Sequence, residues 1–393
     1  MTLEYDTIES LAARLVQIPS ENPPGEEATC AEFIHQWFTD RDIAAELLEE
    51  PDPDRPQVGA RVGSGAPTLV INGHTDVVPP GDHDAWTDGP YDGVVSDGRL
   101  YGRGSADMKT GLAIGMLLLA AFADRLSTGE LPGSLVFHAA MGEETGDPGT
   151  KTLLEQGYDG DHAIVIEPTS FRVATSSKGL AVYEVTLTGA ATHASHPEKG
   201  VNPIESAEPV LNAIQEYNTE LINRGTGLCG TALASVTEFE SGVGSNYGVI
   251  PETARFIFDR RIVPGESLES VDAEVYALFD EIAASIPLSI EATRVQHYAA
   301  SDIPVDDPLA VRTRELSADR AGADTKPWGI EAATDMRNFI NDADMPAITW
   351  GPGSLSQAHT VDESIDLAEA ALGYDLLTQL TEEFLNGAIT DNR

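Results

Sequence analysis

The chain has 393 residues, 41% of them hydrophobic, and carries 65 acidic against 23 basic side chains for a formal net charge of −42. That length exceeds one ordinary core and predicts two domains, while so negative a surface repels phosphate backbones and anionic lipid, which excludes nucleic acid and membranes as partners. With only Cys30 and Cys229 present, neither a disulfide framework nor a cysteine-based zinc site is available.

Apolar spacing near 3.6 predicts helices over 8–18 and 26–40, joined by the turn-rich "IPSENPPGEE". Strand-like runs follow at "AAELLE", "QVGARV" and "TLVING". "YDGVVSDGRLYG" reads as a hairpin turning on Asp97-Gly98. Next come a helix from about Asp107, a strand over 134–142, a short helix near 149–156 and a strand over 162–168. Strands alternating with helices indicate an open α/β sheet.

The texture changes near Lys178. Residues 180–189 alternate strictly, as a half-exposed antiparallel strand does. A helix near 203–218, strands at "ALASVTEFE" and "TARFIFDRRIV", a helix over 267–284 and a strand "LSIEATRVQ" complete an α+β unit. The α/β texture resumes near 307 with a helix, the strand-like "MPAITWGPG" and a last helix over 363–386. The expected architecture is therefore an α/β domain, residues 1–177 and 298–393, with a mixed open sheet flanked by helices. A two-layer α+β domain, residues 178–297, interrupts it.

Five candidate metal ligands fall at predicted strand ends or in loops: His74, Asp107, Glu144, Glu167 and His359. In open α/β sheets, ligands bind outside the carboxyl ends of the strands. Imidazole and carboxylate donors without thiolate suit Zn²⁺, with Mn²⁺ or Co²⁺ as alternatives. Two imidazoles and three carboxylates are too many for one open tetrahedral site, but they suit two ions sharing one carboxylate. Glu143 and Glu144 are adjacent, so both serve one site only where the strand breaks, and "GEETGDPG" supplies the break. One then binds metal while the other is a general base. Asp76, two residues after His74, is placed to accept the imidazole's other N–H and fix its tautomer.

"GHTDVVP", "GRGSADMKTG", "GEE", "EP" and "AHT", in this order, resemble the M20 metallopeptidases, a family that includes acetylornithine deacetylase, succinyl-diaminopimelate desuccinylase, aminoacylase-1 and glutamate carboxypeptidases. "GAATHASHPEKGVNPIE" and "DRRIVPGES" are similar to that family's inserted lid. The resemblance implies that His74 and Glu167 hold one ion, Glu144 and His359 the other, with Asp107 between them across a cis Asp107–Met108 peptide. It also implies Glu143 as base and His193 as the lid group that polarises the scissile carbonyl, assisted by Asn246. Arg261 would grip the substrate carboxylate, with Arg260 as the competing neighbour, and Gly353 would add backbone N–H support. Glu at 167 resembles the deacylase and carboxypeptidase branches. "EAATDMRNF" (331–339) departs from the pattern, having Ala332-Ala333 where relatives often carry glycines.

The implied activity is hydrolysis of the amide bond of an N-acyl amino acid by activated water. Its alternatives are an M20 carboxypeptidase or dipeptidase, or a non-catalytic binder of amino acids or metal. The implied partners are a small N-acyl amino acid or short peptide with a free carboxylate and a second copy of the chain, with His193 acting across the dimer. His83, His138 and His162 lack matching context and read as structural. Asp92, Asp97 and Arg103 read as shaping the hairpin. Five lysines among dispersed acids suggest a salt-rich cytosol, where the Debye length falls to ~3 Å at 1 M. The longest apolar run, around 111–123, is shorter than the ~20 residues a bilayer span needs. The acidic start "MTLEYDTIES" lacks a signal peptide's basic segment. The expectation is a cytoplasmic, halophilic protein.

Overall fold

A computed structural model describes residues 4–389. The chain divides into two compact units. One comprises the described residues up to Thr175, then Ile303–Trp328 and the described residues from Thr334; the other is Ser176–Asp302 with Gly329–Ala333.

The first unit is built on a mixed sheet. Six of its strands run in the order Ala45–Leu48, Gln57–Ser64, Gly133–Ala140, Thr68–His74, His162–Val165 and Ala347–Thr349. The last four are mutually parallel, and Gln57–Ser64 runs antiparallel to both of its neighbours. Strand Thr68–His74 is buried along its whole length, and its side chains alternate between two cores. Leu69 and Ile71 pack with helices Ile8–Val16, Thr110–Ser127 and Leu367–Leu385, while Val70 faces Leu153, Met336 and Phe339 on the other side. Helices on both faces explain why a central strand reads as a continuous apolar run. Because the four central strands are parallel, their carboxyl ends share one edge of the sheet, and His74 is the last residue of its strand.

Several boundaries differ from the sequence-based expectation. The strand expected to 168 ends at Val165, which leaves Glu167 in the loop beyond. Residues 364–366 are a short strand on the Val94–Ser96/Arg99–Tyr101 hairpin, so the last helix starts at Leu367. Asp366 caps it by accepting from the Ala368 and Glu369 amides. Helix Met336–Ala343 is an element that apolar spacing does not announce. The segment Ser105–Ser127 is 23 residues long and apolar enough to cross a membrane, longer than the run read from sequence, but 78% of its apolar window is buried inside the fold. It is a core helix.

The second unit is a four-stranded antiparallel sheet in the order Leu233–Ser241, Thr253–Ile262, Gly179–Thr188 and Ser289–Tyr298. Along Gly179–Thr188 every second residue is buried. That face carries Ala181, Tyr183, Val185 and Leu187 into a core with helices Ala207–Asn223 and Leu268–Ser285. A separate two-residue ladder pairs His193 with Val249 and Thr192 with Ile250. The α/β sheet with an inserted two-layer α+β unit is the fold class expected from sequence.

Candidate metal centre

The Nδ1 atom of His74 lies 2.9 Å from the Asp76 carbonyl oxygen and 3.3 Å from Asp76 Oδ1. Both are acceptors, so Nδ1 carries a hydrogen, and Nε2 is the ring nitrogen turned toward the other carboxylates. Nε2 is 3.3 Å from Asp107 Oδ1 and 3.8 Å from Glu167 Oε1. The other oxygen of Asp107 lies 3.5 Å from His359 Nε2, which is itself 3.0 Å from Glu144 Oε2. Two clusters result, His74–Asp107–Glu167 and Asp107–Glu144–His359, each with its ligand atoms within 4.8 Å of one another. Asp107 belongs to both and offers a different oxygen to each.

The local chain explains these placements. His74 ends a parallel strand. Asp107 sits in an irregular turn (φ −121°, ψ 95°) ahead of helix Thr110–Ser127, and its peptide to Met108 is cis. Glu363 fixes this turn by accepting from the Ala106 and Asp107 amides at 2.8 and 3.0 Å, and Arg103 Nη1 holds Glu363 at 2.6 Å. Arg103 also donates to the Thr360 carbonyl, next to His359. Its main partners are therefore at the centre, not the hairpin. Glu143 and Glu144 occupy a short 3-10 turn flanked by Gly142 (φ 76°) and Gly146 (φ 70°). Both conformations favour glycine. A Cβ on Gly142 would lie 2.4 Å from Asp147 Cβ.

Asp76 does more than orient an imidazole. Its Oδ1 accepts from the Glu143 amide at 3.2 Å and its Oδ2 from the Glu144 amide at 3.0 Å. Burial opposes its ionisation, but His74, Asn22 and these amides outweigh burial and hold its carboxyl below the usual range.

The electrostatics demand positive charge. Burial, reinforced by the Asp107 charge, raises the Glu144 carboxyl and lifts that of Glu167 well above its ordinary value. Asp107 stays low because His74 and His359 outweigh its burial. Burial works against a charged His74, yet the Asp107 and Asp76 carboxylates lift it well above its ordinary value. Imidazole nitrogens 3.0–3.8 Å from carboxylate oxygens, in a pocket with excess acid, form a donor set for cations. The residues fit two metal ions.

Glu143 lies beside the clusters and in neither of them. Its Oε1 is 3.8 Å from Arg337 Nη1. Burial, with Asp335 adding to it, pushes its carboxyl up to about 8. His359 is half-exposed, at 52%, with a φ of 61°. Gly353 (φ 85°) accepts from the Ser170 amide at 2.6 Å.

In the second unit, His193 is exposed and its Nδ1 accepts from the Ser195 amide at 3.1 Å, which leaves Nε2 as a donor. The Gly248 carbonyl accepts from the Ala194 amide at 2.8 Å, so Asn246, whose Oδ1 accepts from the Gly248 amide, is close to His193 in the fold. Arg260 is fully buried and bonded to Tyr217 and Glu266. Arg261 points to the other face of its strand, part-exposed, with Asp259 at 2.8 Å. His138, His162 and His83 lie outside both clusters.

Sequence reading missed Asn22, Glu363, Asp335 and Arg337. Glu363 had a faint signal, four residues after His359. Asn22 had none, because its contacts span 54 and 123 residues.

A parallel-stranded edge carrying two carboxylate–imidazole clusters around one shared aspartate defines a dinuclear metallohydrolase. The chain matches the profile of peptidase family M20/M25/M40 over residues 70–383 and belongs to that family. It is 30% identical over 390 residues to a probable succinyl-diaminopimelate desuccinylase of Staphylococcus epidermidis, covering 92% of this chain and 93% of that one. It is 29% identical over 375 residues to the succinyl-diaminopimelate desuccinylase of Methylorubrum extorquens, covering 92% and 94%. Among solved structures, it superposes on an M20 metallo-carboxypeptidase of Sulfolobus solfataricus with a TM-score of 0.77, 19% identity and coverage of 95% and 97%. A Staphylococcus aureus tripeptidase gives a TM-score of 0.76, 20% identity and coverage of 98% and 100%. The chain is thus a metal-dependent hydrolase of this family.

Proposed function

We propose that the protein removes the acyl group from N-acyl amino acids, in the manner of a deacetylase or desuccinylase. The observation that carries this reading is the placing of Glu143, a largely buried carboxyl in neither cluster, directly next to Glu144 of one of them. A binder has no use for a proton acceptor there. The curated relatives named as desuccinylases favour the deacylase over the peptidase form.

In this reading His74 and Glu167 hold one ion and Glu144 and His359 the other, with Asp107 shared. The donor set suits zinc, with cobalt or manganese as alternatives. When bound, the ions supply Lewis acidity toward water and the scissile carbonyl. Glu143 accepts the proton of the attacking water and passes it to the leaving nitrogen. The His193 Nε2–H and Asn246 stabilise the developing oxyanion. Arg261, with its fork part-exposed, pairs with the free carboxylate of the substrate, supported by the backbone at Gly353. His193 acts across a homodimer, and the protein works in a salt-rich cytoplasm.

The test is a hydrolysis screen in molar KCl over N-acetyl and N-succinyl amino acids, the matching amino-acid amides, and dipeptides. Acylated amino acids with a free carboxylate should be cleaved, and a chelator should stop the reaction. Turnover of dipeptides alone would move the protein to the peptidase branch. Turnover of nothing by the metal-loaded protein would favour a binder.

A further inference from the structure

Residues 20–22 run alongside residues 75–77. Ser20 Oγ donates to the Thr75 carbonyl at 2.6 Å, the Val77 amide donates to the Ser20 carbonyl, and the Asn22 amide donates to the Val77 carbonyl, both at 2.9 Å. This short ladder brings Asn22, 3% exposed, against Asp76. The two hydrogens of its side-chain amide are divided. One goes to Asp76 Oδ2 at 2.9 Å, the other to Thr145 Oγ1 at 2.7 Å. The chain of contacts continues outward. Thr145 Oγ1 donates to Asp147 Oδ2 at 2.8 Å, Arg55 Nη1 donates to the same oxygen at 2.8 Å, and Arg55 Nε reaches Glu27 at 3.0 Å.

Asn22 thus joins two of the segments that supply the centre. Asp76 orients His74, and the turn carrying Thr145 also carries Glu143 and Glu144. We propose that Asn22 is a positioning residue that fixes the separation of these segments, and with it the spacing between the two metal clusters and the base. The inference rests on the metallohydrolase reading. An asparagine suits the task because it offers two donors from one planar group to two acceptors. A buried carboxylate that loses one of its donors shifts or loosens. Partners behind metal ligands typically change metal affinity or activity 10–100-fold when removed.

The experiment uses Asn22→Ala, Asn22→Asp, Thr145→Val and the Asn22→Ala/Thr145→Val double variant. Metal-stripped protein is titrated with Co²⁺ and followed by its visible absorption. The thermal midpoint of the metal-free protein is recorded, and kcat and KM are measured on the best N-acyl amino acid from the screen. Asn22→Ala should weaken Co²⁺ binding and lower kcat about 10–100-fold, with KM and the metal-free midpoint nearly unchanged. Asn22→Asp, which sets a carboxylate against Asp76, should be worse. The double variant should lose less than the two single variants summed, because both break the Asn22–Thr145 link. If Asn22→Ala does not fold, Thr145→Val alone reads the same link. Wild-type Co²⁺ affinity and kcat in whichever of these folds would overturn the proposal, as would a drop in metal-free stability with no change in either. A wild-type chain that neither binds Co²⁺ nor cleaves any amide removes the metallohydrolase reading as well. An active wild type with indifferent variants removes only the role of Asn22.

Discussion

Asp76 shows what one side chain can be asked to do. From sequence, its place two residues after His74 says that it orients an imidazole. In the fold, the Asp76 carbonyl oxygen is the nearer acceptor for Nδ1, and the carboxylate is shared with the amides of Glu143 and Glu144. The carboxylate therefore ties the strand end to the turn, a role visible only once residues 67 and 68 positions apart are brought together. The residues of the two clusters were legible because each sits at a strand end or turn with its own local signal. Their supports, Asn22 and Glu363, were not, because nothing periodic marks a residue that acts across 54 or 256 positions. The residue-scale prediction concerns Glu143. Glu143→Gln keeps its shape and removes its basicity, so kcat should fall at least about 10²-fold while metal content by elemental analysis stays at the wild-type value. Activity within a few-fold of wild type would take the base role away from Glu143.

Among the elements, the sheet was legible where periodicity was strong and the helix Met336–Ala343 was not. Its four buried residues, Met336, Arg337, Asn338 and Phe339, are consecutive, and two are polar. It packs behind the centre, where Phe339 stacks on His138 of strand Gly133–Ala140 with ring centroids 5.6 Å apart. His138 is fully buried, and its Nε2–H donates to the Tyr158 carbonyl at 2.7 Å. Burial lowers its pKa to about 4. The unfolded chain takes up this proton near pH 6.5, while the folded chain resists until about 4. Between those values the unfolded state binds more protons, so stability falls as pH falls through that window. From pH 7 to pH 5 the loss from this one group is about 2 kcal/mol. Urea unfolding at both pH values should show a smaller decrease in His138→Gln than in wild type. An equal decrease in the two proteins would show that His138 is not the titrating group.

At the scale of the molecule, net charge dominates. With 65 acidic and 23 basic side chains, self-repulsion at low ionic strength is relieved as salt shortens the Debye length. The thermal midpoint should therefore rise from dilute buffer to molar KCl, and an unchanged midpoint would count against the halophilic reading. Light scattering in the same salt tests the homodimer, for which twice the chain mass is expected. The two-unit plan was legible because the texture changes from buried parallel strands to alternating antiparallel ones. Its seam was less so, since Gly329–Ala333 joins the second unit from within the returning segment. The central claim is that one aspartate serves two ions. Titration of the metal-stripped chain with Zn²⁺ tests it most directly, comparing wild type, His359→Ala and Asp107→Ala. Two ions per wild-type chain, one tight ion for His359→Ala, and tight binding lost at both sites for Asp107→Ala is the result expected. An Asp107→Ala chain that still takes up two ions, or one ion, with wild-type affinity would contradict it.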